Sequence, residues 1–201
     1  MSGGATMASS RARKIGPGAL VLVVGPSGAG KDTLLGAAQK MLACDTRVVF
    51  PRRAVTREAS AFENNEAVTR ADFDQAVASG AYALWWRAHE HGYGVARAID
   101  DEIGKGHVIV VNVSRTIIGE ARQKYQRPFV VLITAPADVL ARRLSRRGRA
   151  SDGNLGERLQ RAALETDGAP DLVISNVGAV DDNARKLAEF ISSLRGPVGT
   201  Q

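Results

Sequence analysis

A glycine-rich loop constrains the fold of this chain more than any other feature of its sequence. The loop reads Gly25-Pro-Ser-Gly-Ala-Gly-Lys-Asp-Thr33 and matches the form G-x-x-x-x-G-K. It follows a short apolar run, Ala19–Val24, which is typical of a parallel strand buried on both faces, and it precedes a segment with helical spacing of its leucines. A loop of this form between a strand and a helix predicts a site for the phosphates of a nucleotide.

The loop supplies a phosphate cradle, a cation and candidate metal ligands. Backbone amides around its glycines point inward at phosphates, so we predict that ATP is bound by Gly25, Pro26, Ser27, Gly28, Ala29, Gly30, Lys31, Asp32 and Thr33. We expect Lys31 to reach the β- and γ-phosphates and to assist transfer. The next position usually carries the hydroxyl that binds Mg²⁺, but here Asp32 stands before Thr33. We therefore predict Mg²⁺ as the cofactor, with Asp32 and Thr33 as its ligands.

Downstream, apolar runs alternate with helical segments, which is typical of a three-layer α/β fold with a central parallel sheet of about five strands. Strands are predicted at residues 19–24, 47–50, 107–111, 128–134 and 171–174. Helices are predicted at residues 31–42, 70–79, 97–105, 114–125, 136–147, 154–165 and 180–194. Residues 52–93 are polar with little strand periodicity, and we interpret them as an inserted acceptor-binding segment.

Composition limits the partners of the chain. A length of 201 residues fits a single domain. The 27 Lys and Arg against 21 Asp and Glu give a formal charge of +6, which favours anionic partners, but an aromatic content of 5% argues against nucleic acid. Cys44 stands alone, and no apolar run approaches the roughly 20 residues that cross a bilayer, so we expect a cytoplasmic protein without a membrane contact. Its oligomeric state stays open, with a homodimer as one option.

Several motifs of the chain resemble those of guanylate-kinase-like P-loop kinases between Leu20 and about Ile191. The shared motifs are Gly25-Pro-Ser-Gly28, Val55-Thr-Arg57, Tyr93-Gly94, Arg143-Leu-Ser-Arg-Arg147-Gly148, Arg158-Leu159 and Val173-Ile-Ser-Asn176. The resemblance implies a kinase domain over residues 19–195, with an acceptor-binding insert near 51–95 and a lid near 146–154. Flexible tails are expected at 1–18 and 196–201.

Two departures argue against guanine as the acceptor. Guanylate kinases place a carboxylate ahead of their Tyr-Gly pair to accept hydrogen bonds from the base, and this chain has Leu84 at that position. The Pro-Arg-x-Gly-Glu segment expected after Thr-Arg is also missing. A site without these acceptors leaves the N–H groups of guanine unpaired, which costs affinity. A guanylate kinase and a non-catalytic guanylate-kinase-like interaction module remain the alternatives, although such modules tend to lose the loop and lid cations.

Four segments are instead similar to those of ribose 1,5-bisphosphate phosphokinases from bacterial phosphonate breakdown. They are Phe50-Pro-Arg-Arg53, Val55-Thr-Arg57, Trp86-Arg-Ala-His89 with Tyr93-Gly94, and Val111-Asn-Val-Ser-Arg115. The resemblance implies transfer of phosphate from ATP to ribose 1,5-bisphosphate, giving 5-phosphoribosyl 1-diphosphate and ADP. A doubly phosphorylated sugar carries about four negative charges, and arginine binds such groups in bidentate fashion.

The resemblance also implies roles for individual residues. The residues expected to bind the acceptor are Arg53, Arg57, Arg87, His89, Tyr93 and Asn112. The residues expected to act in catalysis are Lys31 and three arginines in and after the lid, Arg143, Arg147 and Arg158. Arg143 and Arg147 lie one helical turn apart, so they can point together at one anion. Asn176 is expected to complete the ATP site.

Overall fold

The computed structural model describes residues 13–57, 65–147 and 168–196. Its central sheet has five strands in the order β2-β7-β1-β8-β9, all paired in parallel. These strands are β1 (Ala19–Val24), β2 (Val48–Val49), β7 (Val108–Asn112), β8 (Pro128–Thr134) and β9 (Leu172–Ser175). The predicted three-layer α/β fold is confirmed, because apolar side chains cover both faces of β1, all of whose residues are buried.

Helices flank this sheet on both sides. Helices α1 (Lys31–Met41) and α6 (Val180–Ser193) pack on one face, through residues such as Leu34, Leu187 and Ile191. Helices α3 (Ala98–Gly104) and α4 (Ile118–Lys124) pack on the other face, through Ile99 and Ile118. Helix α5 (Ala137–Arg147) follows β8 and ends where the described residues stop. The predicted helix at 154–165 lies outside the described residues.

The insert contains a second sheet, which was not predicted because residues 52–93 show little strand periodicity. Its strands are ordered β4-β3-β6-β5 and comprise β3 (Arg53–Val55), β4 (Asn65–Ala67), β5 (Tyr82–Ala88) and β6 (His91–Ala96). Two of these strands have only three residues, which is too few to show an alternating pattern. A register shift between Tyr82 and Leu84 interrupts the alternation of β5.

The two faces of the insert sheet have different neighbours. Its inner face carries Val55, Leu84 and Trp86, of which Leu84 and Trp86 join the apolar core beneath α3 and α4. Its outer face is covered by α2 (Arg70–Ala78), whose Phe73 ring occupies the space that a side chain at Gly92 would need. The insert therefore packs against the core of the central sheet through its inner face.

Among the first described residues, Ile15 and Gly18 form backbone hydrogen bonds to the rest of the chain. Ile15 forms an isolated parallel bridge with Tyr125, and its N–H donates to the carbonyl oxygen of Lys124 at 2.9 Å. Gly18 donates to the carbonyl oxygen of Ile103 at 2.9 Å, so the flexible tail predicted for 1–18 extends too far. No helix in the three described ranges is long and apolar enough to cross a membrane.

Candidate active site

The glycine loop folds tightly between β1 and α1. Gly25 has a φ of 150°, and a Cβ there would come within 1.9 Å of the carbonyl oxygen of Ile133, so only glycine fits. Gly30, in the left-handed conformation, is the N-cap of α1. Lys31 Nζ donates to the carbonyl oxygens of Gly25 and Pro26 at 2.8 and 2.9 Å, so its ammonium lies over the loop. The loop backbone and the Lys31 ammonium, both predicted to bind phosphates, therefore lie next to each other.

Two residues that are distant in the chain, Asn176 and Arg143, contact the loop. Asn176, which follows β9 and is only 4% exposed, donates from Nδ2 to the carbonyl oxygen of Ala29 at 2.7 Å. Arg143 of α5 donates from Nη2 to the carbonyl oxygen of Asn176 at 3.0 Å and lies 3.5 Å from the carbonyl oxygens of Gly28 and Ala29. Arg143 and Asn176, predicted from motifs far apart in the chain, therefore lie together at the phosphate loop.

Asp32 is joined to the insert and to the end of β7. Its Oδ1 accepts a hydrogen bond from Asn112 Nδ2 at 2.9 Å and lies 3.7 Å from Arg53 Nη2. Arg53 also donates to the backbone carbonyl oxygen of Asn112 at 2.9 Å and to Asn65 Oδ1 at 3.1 Å. Asn65 was not among the predicted site residues, because nothing in the sequence indicates that β4 lies beside β3.

The inner face of the insert carries Tyr93, one of the residues predicted to bind the acceptor. The Tyr93 ring stacks on Trp86 with centroids 5.3 Å apart and planes at 4°. Leu84 lies on the same face and is fully buried, so the position that would read guanine carries an aliphatic side chain packed into the core. Arg57 is half-buried in the bend that follows β3.

Arg87 and His89 are placed differently. Arg87 lies on the outer face of the sheet, where its Nη2 is 2.7 Å from Asp74 Oδ1 and its guanidinium is 6.0 Å from the centre of the Phe73 ring. The structure does not bring Arg87 together with Tyr93 and Arg53. His89 is exposed in the turn between β5 and β6, with a φ of 49°.

The lid lies largely beyond the described residues. Arg147 is the last residue of α5, and its side chain is not among those that the structure describes. Arg158 lies outside the described residues altogether. Their predicted roles therefore stay predictions, whereas Arg143 lies in α5 within the described residues.

The donors beside the loop suit a magnesium ion that is held mainly by phosphates. Asp32 offers a carboxylate that is 26% exposed, and Thr33 offers an exposed hydroxyl one residue on. Within residues 13–57, 65–147 and 168–196 there is no group of three His, Cys, Asp or Glu side chains that could hold a metal alone. Because Mg²⁺ commonly binds one or two carboxylates together with substrate phosphates, this sparse donor set fits it.

Known proteins resemble this chain over most of its length. A family model described as an AAA domain matches residues 21–163. The chain is 53% identical to ribose 1,5-bisphosphate phosphokinase PhnN of Rhodopseudomonas palustris, over 92% of this chain and 94% of that protein. It is 51% identical to the protein of the same name from Bradyrhizobium diazoefficiens, over 95% of this chain and 96% of that protein.

A solved structure shares the fold at lower identity. The guanylate kinase of Anaplasma phagocytophilum superposes with a TM-score of 0.63 at 20% identity, covering 90% of this chain and 88% of that one. This likeness shows that the two chains share a fold.

Proposed function

The chain belongs to the ribose 1,5-bisphosphate phosphokinase family and carries an AAA domain, and from this premise we propose that it transfers the γ-phosphate of ATP to ribose 1,5-bisphosphate. The products are 5-phosphoribosyl 1-diphosphate and ADP, because the 1-phosphate of the sugar becomes a diphosphate. The observation that carries the proposal is the near full-length similarity to proteins of that name. The reaction takes place where ATP is available, in the cytoplasm, as the sequence predicts.

The transfer needs no general base. An oxygen of the acceptor phosphate is already anionic and attacks the γ-phosphorus in line, so catalysis consists of positioning and charge neutralisation. Lys31 lies over the loop and neutralises charge that develops on the β- and γ-phosphates. Arg143 stands at the loop, and we propose that Arg147 and Arg158 add further positive charge from the lid.

Asp32 and Thr33, at the start of α1, are the residues that would hold Mg²⁺, which, when bound with ATP, would neutralise the phosphate charge and polarise the transferred group. Asp32 is kept in place by Asn112, whose amide donates to one of its oxygens. The rest of the cradle, from Gly25 to Gly30, binds phosphates through backbone amides.

The acceptor lies on the inner side of the insert. Tyr93, fixed by its stack on Trp86, and Arg57 bind one phosphate of the sugar in this proposal. His89 contacts the acceptor from the hairpin turn. Arg87 can take part only after a change of conformation, because its guanidinium must leave Asp74 to reach a ligand on the inner side. The aliphatic Leu84 has no hydrogen-bond acceptor for guanine, which favours a sugar phosphate over a nucleoside monophosphate.

An assay of ADP release with four acceptor conditions tests the proposal. The purified chain is given ATP, Mg²⁺ and either ribose 1,5-bisphosphate, GMP, AMP or no acceptor, and phosphorus NMR follows the new diphosphate. We expect ADP and diphosphate only with the sugar bisphosphate. ADP formation with GMP instead would make the chain a guanylate kinase, and none with any acceptor would favour an interaction module.

A pair of lysine variants ties the activity to the loop. Lys31→Met is expected to lower kcat by about 100-fold or more, because it removes a fixed cation from the transferred phosphate. Lys40→Met changes a lysine in the last turn of the same helix, away from the loop, and is expected to leave kcat unchanged. Equal activity in both variants would contradict the role of Lys31.

A further inference from the structure

Arg53 has the surroundings of a core residue although its side chain ends in a charge. It begins the short strand β3 of the insert and is 8% exposed. Each nitrogen of its guanidinium contacts a different group: Nε the side chain of Asn65, Nη1 the backbone carbonyl of Asn112, and Nη2 the carboxylate of Asp32. One side chain thereby joins the insert sheet, the central sheet and the head of α1.

Three of these residues form a closed ring. Arg53 donates to the Asn112 carbonyl oxygen at 2.9 Å, the Asn112 amide donates to Asp32 Oδ1 at 2.9 Å, and that same oxygen lies 3.7 Å from Arg53 Nη2. A carboxylate held by one hydrogen bond and one ion pair, from two different elements, loses much of its freedom to rotate. Buried ion pairs of this kind contribute little net stability, and orientation is the better reason for keeping one.

The ring also balances charge beside the phosphate loop. Asp32 follows Lys31 directly, so its negative charge lies next to the place where polyphosphate binds. The Arg53 and Asp32 side chains are 10% and 26% exposed, and at such burial water screens the carboxylate weakly. Without the arginine, Asp32 would repel the phosphates of ATP. With Arg53 in place, the Arg53–Asp32 pair carries no net charge, and Asp32 does not cancel the positive charge that Lys31 presents to the phosphates.

We propose that Arg53 is a positioning residue of the ATP site, which acts through Asp32 by orienting and neutralising that carboxylate. The inference rests on the proposed phosphotransfer and assigns Arg53 a role different from the direct acceptor contact that the sequence predicts. It also explains how the acceptor insert is tied to the phosphate loop, since β3 carries the arginine and α1 carries its partner.

A double-mutant cycle separates the two roles. If Arg53 acts through Asp32, Arg53→Gln weakens ATP binding about tenfold in the wild-type background and less than about threefold in a chain that already carries Asp32→Asn. Calorimetry measures ATP binding without Mg²⁺, so the result depends neither on turnover nor on the metal. An equal loss in both backgrounds would show that Arg53 acts independently of Asp32 and would overturn the proposal.

Steady-state constants give a second readout. Loss of a positioning residue on the ATP side raises the KM for ATP or lowers kcat, whereas loss of a direct acceptor contact raises mainly the KM for the sugar bisphosphate. We expect the first pattern for Arg53→Gln. Arg53→Lys keeps the charge but not the fork of donors, so it should restore ATP binding to within about threefold while kcat stays low. A change confined to the acceptor KM would contradict the proposal.

A matched control and a check of folding complete the design. Arg195→Gln breaks another Arg–Asp pair, with Nη1 of Arg195 2.6 Å from Asp45 Oδ2 beyond the far end of α1, and should leave ATP binding unchanged. Thermal unfolding identifies variants that fail to fold, and if Arg53→Gln is one of them, Arg53→Lys and Asp32→Asn still decide the question. If ATP binding follows the cycle while ribose 1,5-bisphosphate is not phosphorylated, the proposed function fails and this inference stands.

Discussion

Asn176 Nδ2 donates a hydrogen bond of 2.7 Å to the carbonyl oxygen of Ala29, so a residue 147 positions along the chain fixes the middle of the phosphate loop. The backbone carbonyl oxygen of Asn176 in turn accepts from Arg143, which links the loop to α5. The shape of the loop is therefore set by contacts from the ends of β9 and α5 as well as by its own glycines.

Asn176→Ala should damage the ATP site and the stability of the chain together. The Ala29 carbonyl loses its buried donor, which we expect to cost about 1–3 kcal/mol in the free energy of unfolding and about tenfold in ATP affinity. Denaturant unfolding and calorimetry measure the two effects. Tyr125→Phe removes another buried hydrogen bond, in which Tyr125 Oη donates to Asp100 Oδ1 at 2.6 Å on the face of the central sheet opposite α1. It should lower stability similarly, and a matching loss of ATP affinity would contradict the role given to Asn176.

Two glycines near the loop should respond to alanine in opposite directions. Gly30 has a φ of 83°, and a Cβ there would lie 2.4 Å from Asn176 Nδ2, so Gly30→Ala is expected to destabilise the chain by about 2 kcal/mol and to weaken ATP binding. Gly36 lies inside α1 with no atom within 4 Å of an added Cβ, and Gly36→Ala should stabilise the chain by about 0.5–1 kcal/mol. Urea unfolding of both variants measures the two changes in the free energy of unfolding. A loss of stability in Gly36→Ala would contradict the prediction that α1 has room for a methyl group there.

The sequence was sufficient to predict the strands of the central sheet and the phosphate loop. The five parallel strands are short apolar runs, of which β1 is buried from both sides, and their positions were predicted within one residue at every end. The phosphate loop was equally predictable, because its conformation demands glycine at fixed positions. These features depend on neighbours in the chain, or on burial alone.

The insert was not predictable in the same way. The alternation of β5 is interrupted by a register shift, so counting residues does not tell which face Arg87 occupies. Asp32 was predicted to bind the metal and Asn112 to bind the acceptor, but the hydrogen bond between them joins positions 80 residues apart. The position of Arg53 against Asp32 likewise depends on how the insert packs on the core, which no local pattern encodes.

The ion pair between Asp45 and Arg195 predicts a pH-dependent stability. Burial by itself would raise the pKa of the Asp45 carboxyl, but hydrogen bonds from the Arg47 backbone N–H and from Arg195 outweigh it and lower the pKa below its usual value. A lowered pKa in the folded state means stability that is present above the unfolded pKa of about 4 and is lost as the pH falls through the folded value.

Arg195→Gln should therefore lower the free energy of unfolding by about 0.5–1 kcal/mol at pH 7, and this difference from wild type should shrink below pH about 4. Urea unfolding at a series of pH values measures it. Arg142→Gln removes a partner from an ion pair in which both side chains are 70% exposed, so its effect at pH 7 should be smaller. A difference for Arg195→Gln that stays constant down to pH 3 would rule out Asp45 as its source.

The hairpin turn between β5 and β6 is built from two residues that rarely adopt its conformation. His89 and Glu90 have φ angles of 49° and 65°, which correspond to a type I′ turn, where Asn-Gly is the preferred pair. Arg70 Nη2 donates to the Glu90 carbonyl oxygen at 2.8 Å and helps to hold the turn. Glu90→Gly should relieve backbone strain and raise the free energy of unfolding by about 0.5–1 kcal/mol, whereas Glu66→Gly in β4 should lower it.

His89→Asn uses the same turn to test the proposed acceptor role of the imidazole. Asparagine tolerates the left-handed conformation, so the variant should keep or slightly exceed wild-type stability, and any loss of activity then reflects lost ligand contact. We expect the KM for ribose 1,5-bisphosphate to rise about tenfold while the KM for ATP stays constant, since removal of one hydrogen bond to a charged group costs about 1.5 kcal/mol. An unchanged acceptor KM in a variant of full stability would remove His89 from the acceptor site and leave it a turn residue only.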